Sequence, residues 1–476
     1  MLFPTLEFGL FFLVVFAVSW EMRQRPGGRK LFLIAASYLF YSWWDWRFTG
    51  LLALSSVVNY AAGRSLGALH GGRARRFVLT LAVLFNLGLL GFFKYYGFFL
   101  ESLDEVLHLV GLERDLPFLQ IILPVGISFF TFQGLSYIVD VYRAKIPPER
   151  SLSDVALYIS FFPQLVAGPI VRAGAFLPQL KEPARLTREM VGLGVVLILS
   201  GLVKKMVIAN YLATDLVDPV FFDPSAHGGL DLLVAVYGYA IQIYCDFSGY
   251  SDIAIGVAAL LGYRFAENFN QPYRASSLQD FWRRWHMSLS SWLRDYLYIP
   301  LGGSRGGGSK GSRFATYRNL FLTMFLGGIW HGAAWTFVAW GSLHGGVLVL
   351  ERLVRERVSG PVLPGFVGRV GGTLLTFHVV CIGWIFFRAQ DFATAGQYFI
   401  GLFRWSAPSL YVTPFIVGLI GVSLLFHFTP RDLGGWVARG VRWLPSPALG
   451  LLAGASLLLI WWVAPPGVAP FIYFQF

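Results

Sequence analysis

Charge is what this sequence has least of. Only 13% of its 476 residues are Asp, Glu, Lys or Arg, against about 25% in an average soluble domain. So long a chain with so little polar surface does not stay in water, and a soluble globular enzyme is excluded. Cysteine is nearly missing too. Cys245 and Cys381 each stand alone in an apolar run, which excludes a disulfide scaffold and a cysteine-based metal site. The histidines form no His-x-x-x-His pair, so no metal is expected. Internal repeats and long linkers are also missing, which argues against a transporter built from repeats. What is present is apolar: 56% of residues are hydrophobic and 17% aromatic, far too many for disorder. The expectation is an all-α, polytopic integral membrane protein.

Apolar stretches recur near 6–20, 31–46, 48–62, 77–98, 121–142, 153–170, 190–212, 231–262, 319–350, 371–389, 411–428 and 449–464. Together they suggest about 11 crossings, since a spanning helix needs about 20 residues. No cleavable signal peptide is expected, because Glu7 and bulky residues replace a basic leader. One membrane domain is expected over 1–476, with N-terminal spans in 1–120, a catalytic core in 121–350, and C-terminal spans with an aromatic tail in 351–476.

The net charge of +12 is read as a side bias rather than a nucleic-acid footprint. Arg23, Arg25, Arg29 and Lys30 follow the first span, and Arg64, Arg73, Arg75 and Arg76 follow the third. Both loops should be cytoplasmic. Segment 263–318 holds nine Lys/Arg and three acids and should share that side, as should 351–369. The apolar block 319–350 must then leave and return, as two tilted helices or a re-entrant hairpin around Gly341. Segment 153–170 has basic flanks, Pro163 and Gly168-Pro169, which suit a re-entrant or in-plane element. Lys204 and Lys205 sit deep in an outward span, where they mark either a helix break or a polar cavity.

Ionisable groups in a span are costly and usually line a cavity. Asp140, Asp246, Asp252, His286, His331, His344 and His378 are such groups. His331 stands out. It lies in Gly327-Gly-Ile-Trp-His-Gly-Ala-Ala-Trp335, where small neighbours permit close approach and imidazole suits proton transfer near neutral pH. A histidine merely bonded to a neighbouring helix is the plainer alternative. His286 lies in Phe281-Trp-Arg-Arg-Trp-His-Met-Ser-Leu-Ser-Ser-Trp292, which reads as one amphipathic helix at the cytoplasmic interface. On residue type alone, a membrane-surface anchor explains it as well as a site does. Gly302–Gly306 and Gly307–Gly311 fit the Gly-x-Ser-x-Gly pattern without a strand-to-helix elbow, so a glycine-rich loop is expected instead. His427 to Asp432 has a His-x4-Asp spacing, but Pro430 breaks the helix between them.

The block Phe281–Trp292, followed 45 residues after His286 by His331 in Trp-His-Gly-Ala-Ala-Trp, resembles the membrane-bound O-acyltransferase (MBOAT) family, closest to its bacterial alginate-acetylation branch. Supporting stretches run from Pro124–Tyr137 through Phe162–Pro169, Tyr244–Asp252 and Asn268–Tyr273 to Asp295–Gly303. The resemblance implies a ring of tilted helices with re-entrant elements around a central tunnel. It implies His331 as catalytic histidine and His286 as a second active-site position, with Trp285, Trp330, Trp335 and Asp246 along the tunnel. The donor would be a cytosolic thioester, acetyl-CoA, with no tightly bound cofactor. Arg283, Arg284, Arg305, Lys310, Arg313 and Arg318 would meet its phosphates, although lipid headgroups would suit them equally.

The aromatic end Pro470–Phe476 resembles a tail that relays acyl groups through its tyrosine, which makes Tyr473 a candidate relay; an aromatic interface anchor is the alternative. The implied activity is O-acetylation of an extracytoplasmic polysaccharide from the bacterial inner membrane. Implied partners are an SGNH or esterase-like acetyltransferase, or a polymer-synthase complex. Transfer of D-alanine or a longer acyl chain stands as an alternative, and a transporter with histidine relays as another.

Overall fold

The structure is a computed structural model. It describes residues 1–112, 116–166, 168–304, 312–358, 365–405, 408–430, 433–467 and 469–472. All regular structure among them is helical. They form two compact units, Met1–Thr187 with Val257–Phe265, and Arg188–Gly256 with Ala266–Phe476.

The first unit contains α1 (Leu6–Glu21), α2 (Pro26–Asp45), α3 (Thr49–Ala68), α4 (Gly72–Leu109), α5 (Ile127–Tyr142) and α6 (Leu152–Ser160). Local chemistry sets several starts. Thr5 Oγ1 accepts the Phe8 N–H at the head of α1, proline opens α2, and Ser151 caps α6 through the Asp154 N–H. Such caps satisfy N–H groups that have no partner within the helix. α3 and α4 are joined by two buried amides, with Asn86 Nδ2 donating to Asn59 Oδ1 at 3.0 Å. Arg29 is buried but bonded to Ser19 O, Tyr263 OH and Leu261 O. Segment 153–170 holds α6 and a single turn, Phe162–Leu165. It is too short to cross a membrane, as its prolines and basic flanks suggest.

The second unit contains α7 (Arg188–Phe222), most of α8 (Gly229–Leu260), α9 (Leu278–Trp282), α10 (Met287–Leu293), α11 (Ser312–His331), α12 (Trp335–Arg357), α13 (Gly365–Arg388), α14 (Phe392–Gly401), α15 (Pro414–Phe426), α16 (Leu433–Val441) and α17 (Ser446–Val463). Among the described residues, six helices are long and apolar enough to cross a membrane: α4, α7, α8, α12, α13 and α17. Others, such as the 16-residue α1 and the 13-residue α15, are apolar but shorter.

Two local expectations need correction. The reversal within 319–350 falls at Gly332–Ala334, between α11 and α12, and not at Gly341. Gly341 is where the two helices cross. A Cβ there would stand 2.5 Å from Met324 O, and one on Gly328 would stand 2.4 Å from Phe337 O. Glycine marks close helix approach as readily as a turn, and here it does the former. Nor is 278–299 one amphipathic helix. It breaks into α9 and α10 at His286, whose φ of 41° is left-handed, a region a non-glycine residue rarely occupies.

Lys204 and Lys205 mark no helix break, because α7 runs on past them as one helix. Val203–Ala209 of α7 widens into a π-helix, and each lysine meets an aspartate on α8. Lys204 pairs with Asp252. Lys205 lies 2.5 Å from Asp246.

Candidate active site

Both histidines singled out in the sequence lie in the second unit, and both are buried, His286 at 0% and His331 at 4% exposure. His331 is the last residue of α11. The Gly328–Gly341 crossing holds α12 against α11, which brings Trp340 to His331. Their ring centres are 4.9 Å apart and nearly perpendicular. Trp330 and Phe387 lie 5.0 and 5.2 Å from the same imidazole. The ring therefore sits in an aromatic enclosure that excludes water from whatever reacts there.

His286 is placed by backbone as much as by packing. The segments before and after it are tied to the 268–270 loop, with Met287 N–H donating to Asn268 O and Asn270 N–H to Arg284 O, each at 2.8 Å. The Asn268 side chain then orients the ring. Its Oδ1 accepts from the Ser288 N–H at 3.1 Å and from Ser288 Oγ at 2.8 Å, while its Nδ2 donates to Ser251 Oγ at 3.0 Å. A backbone N–H requires an acceptor opposite it, so the amide cannot be flipped. Asn268 Oδ1 also lies 3.2 Å from His286 Nδ1, which assigns the ring proton to Nδ1 and leaves Nε2 the basic nitrogen. Phe247 packs edge-on to this imidazole at 4.6 Å. Trp330 lies 6.4 Å from His286, so one indole stands between the two histidines.

A cavity of about 500 Å³ opens beside α9, α10 and the two crossing helices. Arg283, Arg294, Arg352 and Arg355 line it, with Glu351 the acid among them. Trp282 belongs to its wall and also meets Trp340 at 5.7 Å. Trp340 in turn meets His331, so an aromatic sequence leads from the arginine-lined cavity to the catalytic candidate.

The other expected residues divide. Arg283 faces the cavity. Arg284 does not line it, because it is bonded to Asp280 Oδ2 at 2.9 Å and to Asn270 O. Arg313 and Arg318 are exposed on α11, Arg313 being 3.9 Å from Glu356 and Arg318 bonded to Asn319 Oδ1. Arg305, Lys310 and Tyr473 lie outside the described residues, as do Gly306–Gly311 and Asp432. Trp285 is buried against Phe281 and Trp384. Trp335, at the start of α12, is 52% exposed. Asp246 is buried with Lys205, and its Oδ2 accepts the Ile472 N–H at 2.8 Å.

Of the remaining ionisable candidates, only His344 packs on the rings that lead to His331. Asp140 lies 3.7 Å from Lys145 in the first unit. His378 bonds Tyr237 OH at 2.8 Å. His427 bonds Ser423 O at 3.0 Å. His344 is fully buried between Trp282 and Trp340, and neither of its ring nitrogens finds a hydrogen-bond partner among the described residues.

Sequence reasoning missed five contributors. Asn268 carries a motif match but gives no sign that it orients a residue 18 positions away. Arg352 and Arg355 read as an ordinary basic helix end. Trp340 and Phe387 read as core aromatics, and only the glycine crossing shows what they enclose.

The MBOAT family model matches residues 143–388, which include both histidines and every cavity arginine. The chain is 43% identical over 383 residues to a protein of Azotobacter vinelandii named "Probable alginate O-acetylase", covering 79% of this chain and 73% of that one. It is 36% identical over 429 residues to a peptidoglycan O-acetyltransferase of Helicobacter pylori, covering 84% and 76%. It is 29% identical over 277 residues to a teichoic acid D-alanyltransferase of Bacillus subtilis, covering 56% and 69%. The paired buried histidines, the long apolar helices and these similarities agree, and the chain belongs to the membrane-bound O-acyltransferase family as a multi-pass integral membrane enzyme.

Proposed function

We propose that this O-acyltransferase takes an acetyl group from cytosolic acetyl-CoA and delivers it for O-acetylation of an extracytoplasmic polysaccharide, from the bacterial cytoplasmic membrane. The observation that carries the reading is the aromatic sequence from an arginine-lined cavity to His331. The cavity walls come from 278–304, from α11 and from the end of α12; its charged residues all lie in 278–304 and at the end of α12, the segments whose charge bias assigns them to the cytoplasm. Arginine forks suit the phosphates of a CoA-type donor. The O-acetylating relatives favour acetyl over D-alanyl, because the D-alanyltransferase matches a smaller share of this chain.

The chemistry follows from the buried imidazoles. His331 takes the proton of an acceptor hydroxyl as its oxygen attacks the thioester carbon. The C–S bond breaks, and the proton passes to the departing thiolate. His286, protonated at Nδ1 and held by Asn268, presents Nε2 as an acceptor that orients the incoming hydroxyl before its proton turns to His331. The acceptor hydroxyl in this step is the Tyr473 phenol, which becomes an acetyl ester; a hydroxyl of an extracytoplasmic SGNH or esterase-like partner, or of a polymer-synthase complex, then attacks that ester, its acyl C–O bond breaks, and the phenol regains a proton.

The test is transfer from radiolabelled acetyl-CoA by the purified protein in lipid vesicles. Wild type should turn the donor over and His331→Ala should not; equal turnover by both would overturn the reading. Mass spectrometry should find acetyl on Tyr473 in wild type and none in His331→Ala. Full polymer acetylation by Tyr473→Phe would remove the relay step.

A further inference from the structure

The buried ion pair on α7 and α8 does more than neutralise itself. A charge pair taken out of water recovers its desolvation cost only when its remaining donors and acceptors are also satisfied. Here they are satisfied by one segment far away in sequence. Lys205 Nζ reaches Asp246 Oδ1 at 2.5 Å and donates to Ala469 O at 2.8 Å. The second carboxylate oxygen of Asp246 accepts the Ile472 N–H at 2.8 Å. Asn210, five residues beyond Lys205, donates to Gly467 O at 3.3 Å. These are main-chain bonds, two of them charge-assisted and so among the stronger kind.

The side chains that follow are drawn inward. Phe471 is 0% and Ile472 2% exposed, and the Phe471 ring packs on Tyr250 at 4.3 Å and on Phe247 at 5.7 Å. Phe247 is the ring that packs on His286. The neighbouring pair shows the contrast: Lys204 bonds Asp252 and donates to Ser248 Oγ, and the pair has no bond to the 467–472 segment among those described.

We infer that Lys205 and Asp246 are positioning residues, a clamp that grips the main chain at Ala469 and Ile472 and holds Phe471 and Ile472 in the interior, one aromatic ring from His286. The clamp reads backbone and leaves the side chains to do chemistry. Its consequence for transfer rests on the acyl-transfer reading above, but the grip itself does not.

The experiment separates the two. In full-length protein in vesicles, Ile472→Cys keeps the N–H and reports the segment's burial by its maleimide labelling rate, quantified at residue 472. Labelling should be slow in the parent and about tenfold faster when Asp246→Asn is added. Adding Asp252→Asn, which breaks the neighbouring pair, should leave it slow. Equal rates with and without Asp246→Asn would overturn the clamp. Should Asp246→Asn not fold, Ile472→Pro removes the N–H that Asp246 accepts, along with the Ile side chain and the freedom of φ, and leaves Lys205 and Asp246 in place. It should lower acetyl transfer about tenfold while Ile472→Val does not. Wild-type transfer by Ile472→Pro would overturn the clamp's role. Labelling that follows the clamp in a protein with no thioester turnover would sink the acyl-transfer reading and leave the clamp standing.

Discussion

The two units put polar atoms in their interiors for different ends. In the first, the defining pair is neutral and symmetric. Asn59 and Asn86 bond each other, and each returns a second bond to its own helix, at Ser55 O and Ala82 O. Nothing in that pair titrates near neutral pH, and its job is to fix helix against helix. In the second unit the buried groups are imidazoles, indoles and ion pairs, arranged in sequence from a cationic cavity inward. His286 is bonded at one nitrogen to an amide that is itself locked, and His331 is boxed by the rings of Trp330, Trp340 and Phe387. Amide pairs buy rigidity; oriented imidazoles confer reactivity.

That division can be broken by mutation. The largest effect expected is on transfer in His331→Ala, a loss of about a thousandfold, within the range for removing a general base, with the melting temperature in detergent nearly unchanged. Asn268→Ala should lower kcat about tenfold with little change in donor KM, because it frees the His286 ring rather than the donor site. Asn268→Asp should recover part of that loss, since a carboxylate still accepts from Nδ1. Arg283→Ala and Arg355→Ala should raise the donor KM several-fold with kcat kept, and the penalty should shrink as salt rises. The smallest effect on activity is expected in the framework. Asn59→Leu should cost about 1 kcal/mol of stability, seen in thermal unfolding, while kcat per folded molecule stays at the wild-type value. A collapse of kcat in Asn59→Leu without loss of stability would erase the distinction between the units.

How far the sequence foretold this depends on range. His331 was legible because its signal is local: a histidine among glycines and tryptophans inside an apolar block. The all-helical class was legible because hydropathy is a running property of the chain. The break at His286 was not, because the tryptophan spacing satisfies a helical face equally well on a continuous helix or on two short ones. What decides it is the pairing with 268–270, a contact between segments. Gly341 was misplaced for a related reason: glycine signals a backbone need without naming it, and only the facing Gly328 shows the need to be a crossing. The cavity arginines were half legible. Composition located a basic region, but which of its cations turn inward is set by partners such as Asp280, which takes Arg284 away.

One consequence concerns redesign of the enzyme. A Cβ on Gly332 would stand 2.0 Å from the Phe337 ring; Phe337 packs on Phe387 at 4.9 Å, and Phe387 packs on His331. Position 332 therefore works as a set-screw on the aromatic chamber around His331. Changing its size alters the shape around the imidazole without touching any group that handles protons. Efforts to make such a transferase accept a bulkier or smaller acyl group should begin at that screw, with Gly332→Ala paired to a trimmed ring such as Phe337→Leu, and leave the histidines alone.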